Sequence, residues 1–316
     1  MDKQVMDKQV RSAVGTAFAR AGLVGNPSDS YGGKTVAFSV RNFSARVSVE
    51  PSDRLEIEDE LAAPLLTAAI RRFELHTGDD VAPLRIALAT DVPFQVGLAG
   101  SSAIVIAALR ALGAAHARPL DPFDQSELAL AAEVEDLGIA AGPMDRVIQA
   151  HEGLYHMDFS GERSRDCYTQ LRAASLPSLL IAWDPRGGEP SGVVHSDLRE
   201  RWQRGDTKVR STMARFGDLV DDAERALRDG DFDRLRAAVD RNFETRAELY
   251  PIAARDREMV EIARSCGAAA KQCGSGGACL AVLADETDAD SLAAAYHEAG
   301  YRTLRPVIED EPHDTI

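Results

Sequence analysis

A chain of 316 residues, 45% apolar and 28% charged, has the material for two ordinary domains around a sizeable core. Its formal net charge is −15, from 36 basic and 51 acidic residues, a field that repels phosphate backbones and excludes general nucleic-acid binding. No run approaches the roughly 20 apolar residues of a membrane-spanning helix, and the first residues lack a signal-peptide pattern, so a cytoplasmic protein with no membrane partner is expected.

The same field opposes small anions, so any anion site must be built locally from helix N-termini, a metal and a few Lys or Arg. Cys167, Cys266, Cys273 and Cys279 show no CxxC spacing and are expected as free thiols.

The opening MDKQVMDKQV is a five-residue duplication, expected as a frayed terminus and not as a fold repeat. From Val36, VAFSVRNFSARVSVEPS alternates as a strand does, ended by Pro51 and Asp53. Residues 60–76 predict a helix with Pro64 near its first turn, and 83–90 a strand. A glycine-serine turn then leads into the apolar helix AIVIAALRAL. Residues 125–137 predict a helix, GIAAGP a loop, MDRVIQAHEG a short helix, and LYHMDF and LPSLLIAWDP strands. Gly187, Gly188, Pro190 and Gly192 predict a flexible loop over 185–196. Residues 207–249 and 257–266 predict helices. A second glycine loop enters a strand at KQCGSGGACLAVLAD; a helix (DADSLAAAYHEAG), a strand (RTLRPVI) and a disordered tail, EDEPHDTI, follow. The fold class expected is α+β in two halves, residues 1–170 and 171–316.

Three glycine-centred motifs carry the chemistry. In PFQVGLAGSSAIVIAALRAL, small residues let backbone N–H groups approach an anion, and the following helix aims its positive end at the same point. Ser101 and Ser102 stand at the helix start, as N-caps or as phosphate and metal contacts. The turn is neither a Walker A loop, for want of a closing GKS or GKT, nor a GxGxxG fingerprint. GNPSDSYGGKT offers Asn26, Ser28, Asp29 and Lys34 either as a plain surface turn or as donors and a carboxylate in a cleft. In KQCGSGGACLAV, the run Gly274, Ser275, Gly276, Gly277 exceeds what a hairpin needs and suits a loop that meets a ligand backbone-first.

In this order, with AEVEDLGIAAGPMDR between the second and third glycine clusters, the chain resembles the GHMP kinases. From about residue 17 onward, FARAGLVGNPSDSYGGKT, GPMDRVIQAHEGLYHMDF, SGVVHSDLRERWQRGD and KQCGSGGA resemble the plant glucuronokinases within that superfamily. Gln272 and Cys273 depart from the pattern, standing where an aromatic residue and Thr are expected.

The resemblance implies an ATP-dependent sugar-1-kinase acting on the anomeric hydroxyl of D-glucuronate, with its site in the groove between the halves. It places the ATP phosphates over Gly97, Leu98, Ala99, Gly100, Ser101 and Ser102. It assigns Mg2+ to Ser102 and Glu133, two protein ligands sufficing for this cation. Asp145 becomes the catalytic base, where the residues alone favour an N-cap. Asn26, Ser28, Asp29, Lys34, Gly274, Ser275 and Gly276 are expected on the substrate side. A uronate carboxylate needs a cation, and Lys34 leads Arg41, Arg146 and Lys271 for that role. Lys271 alternatively neutralises developing phosphate charge. Glu135 and Asp136 are expected to be solvated on the surface, and Cys273 to pack. Alternatives are another acceptor (galacturonate, galactose, mevalonate) or a non-catalytic binding protein; the latter is disfavoured because Ser102, Glu133, Asp145 and both glycine loops are present.

Overall fold

The computed structural model describes residues 10–187 and 192–309, without the side chains of 192–196. The duplicated opening, residues 188–191 of the expected glycine loop and nearly all of the tail lie outside the described residues.

The first half is a six-stranded sheet with helices on it. Strands β1 (Ala13–Val24) and β2 (Lys34–Pro51) pair antiparallel along most of their length, with a bulge between Phe18 and Ala19. The 18-residue β2 is long enough to serve two partners on its other edge. Its first part pairs β5 (Leu154–Asp158) and its last part pairs β4 (Leu84–Thr90). Strands β3 (Glu56–Ile57) and β6 (Tyr168–Leu171) close the edges. Helix α1 (Ala63–Thr77) carries Pro64 in its first turn, where a missing N–H costs nothing, and ends at left-handed Gly78. Helix α2 (Gly100–Ala115) is apolar all round and packs on β1 and α1. Burial of a residue such as Phe73, fully enclosed in this core, contributes about 1.5–3 kcal/mol.

Helix α3 (Pro122–Ala131) is capped by Asp121, whose carboxylate accepts from the Asp124 N–H. It does not run to residue 137: a π-helical turn, Ala132–Asp136, replaces its end. Helix α4 (Met144–His151) follows after a loop.

The second half holds an antiparallel sheet in the order β10 (Arg302–Leu304), β7 (Leu179–Trp183), β9 (Ala278–Val282), β8 (Ala269–Gln272). Helices α7 (Phe232–Ala247), α8 (Ala254–Ser265) and α9 (Ala289–Glu298) pack on it, whereas α6 (Thr207–Asp229) packs on α7 and against β1 and β2, and α5 (Gly192–Gln203) on α6. The stretch expected as one helical region over 207–249 is broken at Gly230, which is left-handed, with Asp231 capping the next helix. One apolar core runs across both sheets through Leu23, Phe38, Ile181, Phe216, Val239 and Leu280. The Gly22 N–H donates to the Cys273 carbonyl at 2.8 Å, so the end of β1 touches the third glycine motif directly.

No described helix is long and apolar enough to cross a membrane, and all four cysteines are free.

Candidate active site

A cavity of about 560 Å³ opens where the halves meet. Its walls come from the glycine turn before α2, the loop before α4, the 3-10 turn Ser28–Tyr31 with Asn26 before it, Arg199 of α5, Arg246 of α7, and Gly274 with Ser275.

The glycine turn is shaped for contact. Ala99 stands at the N-cap position in the left-handed region, φ 64°, and no side chain caps the helix. Gly97 is also left-handed, φ 72°, and a Cβ there would lie 2.5 Å from the Gly276 carbonyl oxygen. The two glycine motifs therefore rest against each other. Gly100 and Ser101 line the cavity at a helix start, where N–H groups lack intrahelical partners and favour an anion.

Beneath that turn lies Arg20, from the middle of β1, its side chain 5% exposed. Its Nε and Nη2 donate to the two oxygens of Asp145 at 2.6 and 2.7 Å. Its Nη1 donates to the Gly97 carbonyl at 2.6 Å and reaches the Cys273 carbonyl at 3.4 Å. One guanidinium thus joins the carboxylate, the first glycine turn and the third motif. Asp145 does not cap α4, whose N-cap position is Pro143. Its carboxylate lies on the fork and lines the cavity.

Glu133 is fully buried. The π turn sets its Oε1 to accept from Ser101 Oγ at 2.8 Å, while Oε2 accepts from Arg146 Nε at 2.6 Å. Ser102, the serine expected beside Glu133, is instead buried, its Oγ donating to the Ala99 carbonyl at 3.3 Å. The alternation of neighbours around a helix explains the difference: successive residues point about 100° apart, and the turn's geometry turns Ser101 to the carboxylate. Asp136 is not solvated as expected. Arg72 holds it bidentately at 2.6 and 2.8 Å, whereas Glu135 is exposed.

On the opposite wall, Asn26 is buried with Oδ1 unpartnered among the described residues. Asp29 accepts from the Met144 N–H at 3.3 Å, and a Cβ at Gly142 would lie 2.0 Å from its Oδ2. Burial, reinforced by the nearby Asp145 charge, pushes the Asp29 carboxyl up to about 6. Ser28 lies outside the lining, its Oγ donating to the Lys34 carbonyl at 2.9 Å.

The four cations expected to meet a carboxylate are all engaged. Lys34 pairs with Asp221 at 2.8 Å and does not line the cavity. Arg41 pairs with Glu152 and Glu309. Arg146 lines the cavity but is paired to Glu133. Lys271 is buried, its Nζ donating to the Gly22 and Gln272 carbonyls at 2.7 Å, and burial pulls it down to about 7. Gly274 and Ser275 line the cavity while Gly276 braces Gly97 from outside the lining. Cys273 packs in the core.

Sequence reasoning missed Arg20, Arg199 and Arg246. A lone Arg inside the apolar run AFARAGLV was the available signal for Arg20, since a buried charge demands a partner. Arg246 lies under the third motif, donating to the Gly274 and Ser275 carbonyls at 2.6 and 3.0 Å. Nothing in the helical stretch around it marks that contact.

The family model described as GHMP kinases N terminal domain matches residues 64–153, and that described as GHMP kinases C terminal matches residues 223–302. Glucuronokinase 1 of Arabidopsis thaliana is 35% identical over 330 residues, covering 92% of this chain and 90% of that protein. Among solved structures, a Lin0012 protein from Listeria innocua superposes with a TM-score of 0.81 at 15% identity, covering 95% of this chain and 98% of that one. The galactokinase of Lactococcus lactis, complexed with galactose, gives 0.78 at 12% identity, covering 96% and 95%. At these identities the two structures show a shared fold.

Proposed function

Because this chain belongs to the GHMP kinases, we propose that it transfers the γ-phosphoryl group of ATP to the anomeric hydroxyl of D-glucuronate, giving glucuronate 1-phosphate and ADP. The observation that carries the chemistry is the Arg20–Asp145 fork at the floor of a cavity walled on one side by the α2 glycine turn. The choice of glucuronate rests on the 35% identity to Glucuronokinase 1 across nine-tenths of both chains.

ATP enters with its phosphates over the N–H groups of Gly97–Ser102. Its base has a platform in the apolar cavity mouth, where Leu61 and Phe94 are 93% and 80% exposed beside Val92 and Ile139. The sugar lies between Asp145 and the Asn26–Asp29 wall of the cavity. As the sugar oxygen bonds to the γ-phosphorus, the bond from that phosphorus to the bridging oxygen breaks and ADP leaves. The hydroxyl proton passes to Asp145, whose two oxygens Arg20 holds in place.

Mg2+ fits the donor set: the Ser101 hydroxyl and the Glu133 carboxylate are adjacent hard oxygens at the start of α2. These two residues would hold it, and when bound it neutralises charge on the transferring phosphates. In this reading Ser101 takes the place that the family resemblance assigned to Ser102.

The test is turnover of MgATP with a panel of glucuronate, galacturonate, galactose, glucose, mevalonate and homoserine, the product located by phosphorus NMR. Phosphorylation of glucuronate at the anomeric oxygen, abolished in Asp145→Ala, is expected. Turnover of another panel member and not of glucuronate would keep the kinase and refute the substrate.

A further inference from the structure

A chain of net charge −15 must place a cation deliberately to hold an acidic sugar. Four arginines line the cavity: Arg20, Arg146, Arg199 and Arg246. Arg20 is committed to Asp145 and Arg146 to Glu133. Arg246 is buried, two of its nitrogens holding the carbonyls of the third glycine motif. Arg199, by contrast, is half-buried with no hydrogen bond or ion pair to any described residue.

Its position is built. Arg199 and Trp202 are three residues apart on α5 and so share a face. The Trp202 ring packs on Tyr31 with centroids 5.2 Å apart. Tyr31 belongs to the same 3-10 turn as Asp29, which faces the cavity beside Asn26. The ring pair therefore docks the Arg199 face of α5 against the sugar wall. Arg199's charge is felt there: it opposes the rise that burial imposes on the Tyr31 phenol, which reaches about 12.

We propose that Arg199 receives the carboxylate of a uronic acid substrate and is the residue that selects an acidic sugar over a neutral one. The assignment rests on the uronate reading given above. A guanidinium matches a carboxylate with two parallel N–H donors, and it is the only fork among the cavity arginines not already closed by described groups. The substrate's opposite end then faces Asp145, so a neutral sugar of the same shape leaves a half-buried charge without its counterion.

The experiment compares kcat/KM for glucuronate with that for glucuronamide, its uncharged isostere, in the parent enzyme, Arg199→Gln and Arg199→Lys. A charge-assisted pair lost on the substrate side lowers the glucuronate-to-glucuronamide ratio by about 10- to 100-fold in Arg199→Gln, carried mainly by KM. Arg199→Lys, which keeps the charge without the fork, is expected to fall between. Calorimetric binding of glucuronate to each variant supplies a readout independent of turnover, and Arg199→Lys still decides should the Gln variant not fold. A ratio unchanged in both variants while the parent uses glucuronate would overturn this assignment alone. A parent enzyme that phosphorylates only neutral sugars would overturn the substrate reading and this assignment with it.

Discussion

Gly97 and Gly78 share nearly the same backbone angle, φ 72° and 70°, yet only one of them touches anything. A Cβ on Gly78, at the C-terminus of α1, meets nothing within 4 Å. A Cβ on Gly97 meets the Gly276 carbonyl oxygen at 2.5 Å. Gly78→Ala therefore measures the left-handed penalty by itself, about 1–2 kcal/mol. Gly97→Ala adds a backbone collision. Ordinary contact begins near 3.4 Å, so one glycine motif must retreat by about 0.9 Å. Displacing a positioning element by about 1 Å costs about 100-fold in rate. Expected for Gly97→Ala are a stability loss of about 2–4 kcal/mol and a fall of about 100-fold in kcat/KM for ATP. Expected for Gly78→Ala are the smaller loss and normal kinetics. Urea unfolding midpoints and steady-state assays on both variants decide the matter. Should Gly97→Ala prove as mild as Gly78→Ala in both measurements, the contact between the two motifs does not set the phosphate site.

Asp145→Asn retains an acceptor for Arg20 but loses the proposed proton acceptor, and turnover is expected to fall by about 10²–10⁴-fold in single-turnover assays while nucleotide binding persists. Asp145→Ala additionally leaves the nearly buried Arg20 unpaired and should destabilise the protein by about 3–5 kcal/mol in denaturant titration; equal stability of the two variants would show the fork to be dispensable. Ser101→Ala is expected to raise the Mg2+ concentration for half-maximal activity by about tenfold or more and to do so more than Ser102→Ala, since only Ser101 meets Glu133; the reverse order in a Mg2+ titration would restore the metal to Ser102. The Asp29 carboxyl is raised from 3.8 to about 6, so the native state holds its proton more readily than the unfolded chain does. The destabilisation this causes is absent below the unfolded value and complete above about pH 6. Asp29→Asn, which keeps an oxygen for the Met144 N–H, should stabilise the protein by about 3 kcal/mol at pH 8 and by about half that at pH 5. A gain that did not depend on pH would refute the burial cause.

The parts legible in the sequence are those where a periodic pattern or a glycine cluster stands alone. Strand β2 alternates in burial from Ala45 to Glu50, where its two faces differ, and α1 carries Pro64 in its first turn. Strand β1 was silent. From Ala17 onward it is buried on both faces, between α2 and the core shared with the second sheet, so AFARAGLV shows no alternation. The π turn was silent too, because Ala132–Asp136 continues the helical pattern of α3 and only its hydrogen bonding differs. That turn points Glu133 inward to Ser101 and Arg146, contacts that the helical pattern does not encode. Asn26 stands out as a polar turn residue and Asp145 only through the family resemblance. Their surroundings depend on residues more than 100 positions away, as Arg20 is from Asp145, a separation that spacing does not encode.

Charge placement explains why such a site is possible in so acidic a chain. The bulk field disfavours both ATP and an acidic sugar, and the cavity does not reverse it by accumulating unpaired cations. Three of its four arginines are spent on internal acceptors: Arg20 on Asp145 and Gly97, Arg146 on Glu133, Arg246 on the third glycine motif. Each fixes a group to which the proposed mechanism gives a role. The guanidinium of Arg20 uses donors in three directions at once, which an ammonium point charge cannot reproduce with the same alignment. Its Cα belongs to the long β1–β2 pair, the most extended structure in the fold, so the carboxylate and both glycine motifs take their positions from the central sheet. Under the proposed function, phosphate recognition falls to backbone N–H groups, whose partial charges are fixed by the fold and carry no net charge for the acidic surface to cancel.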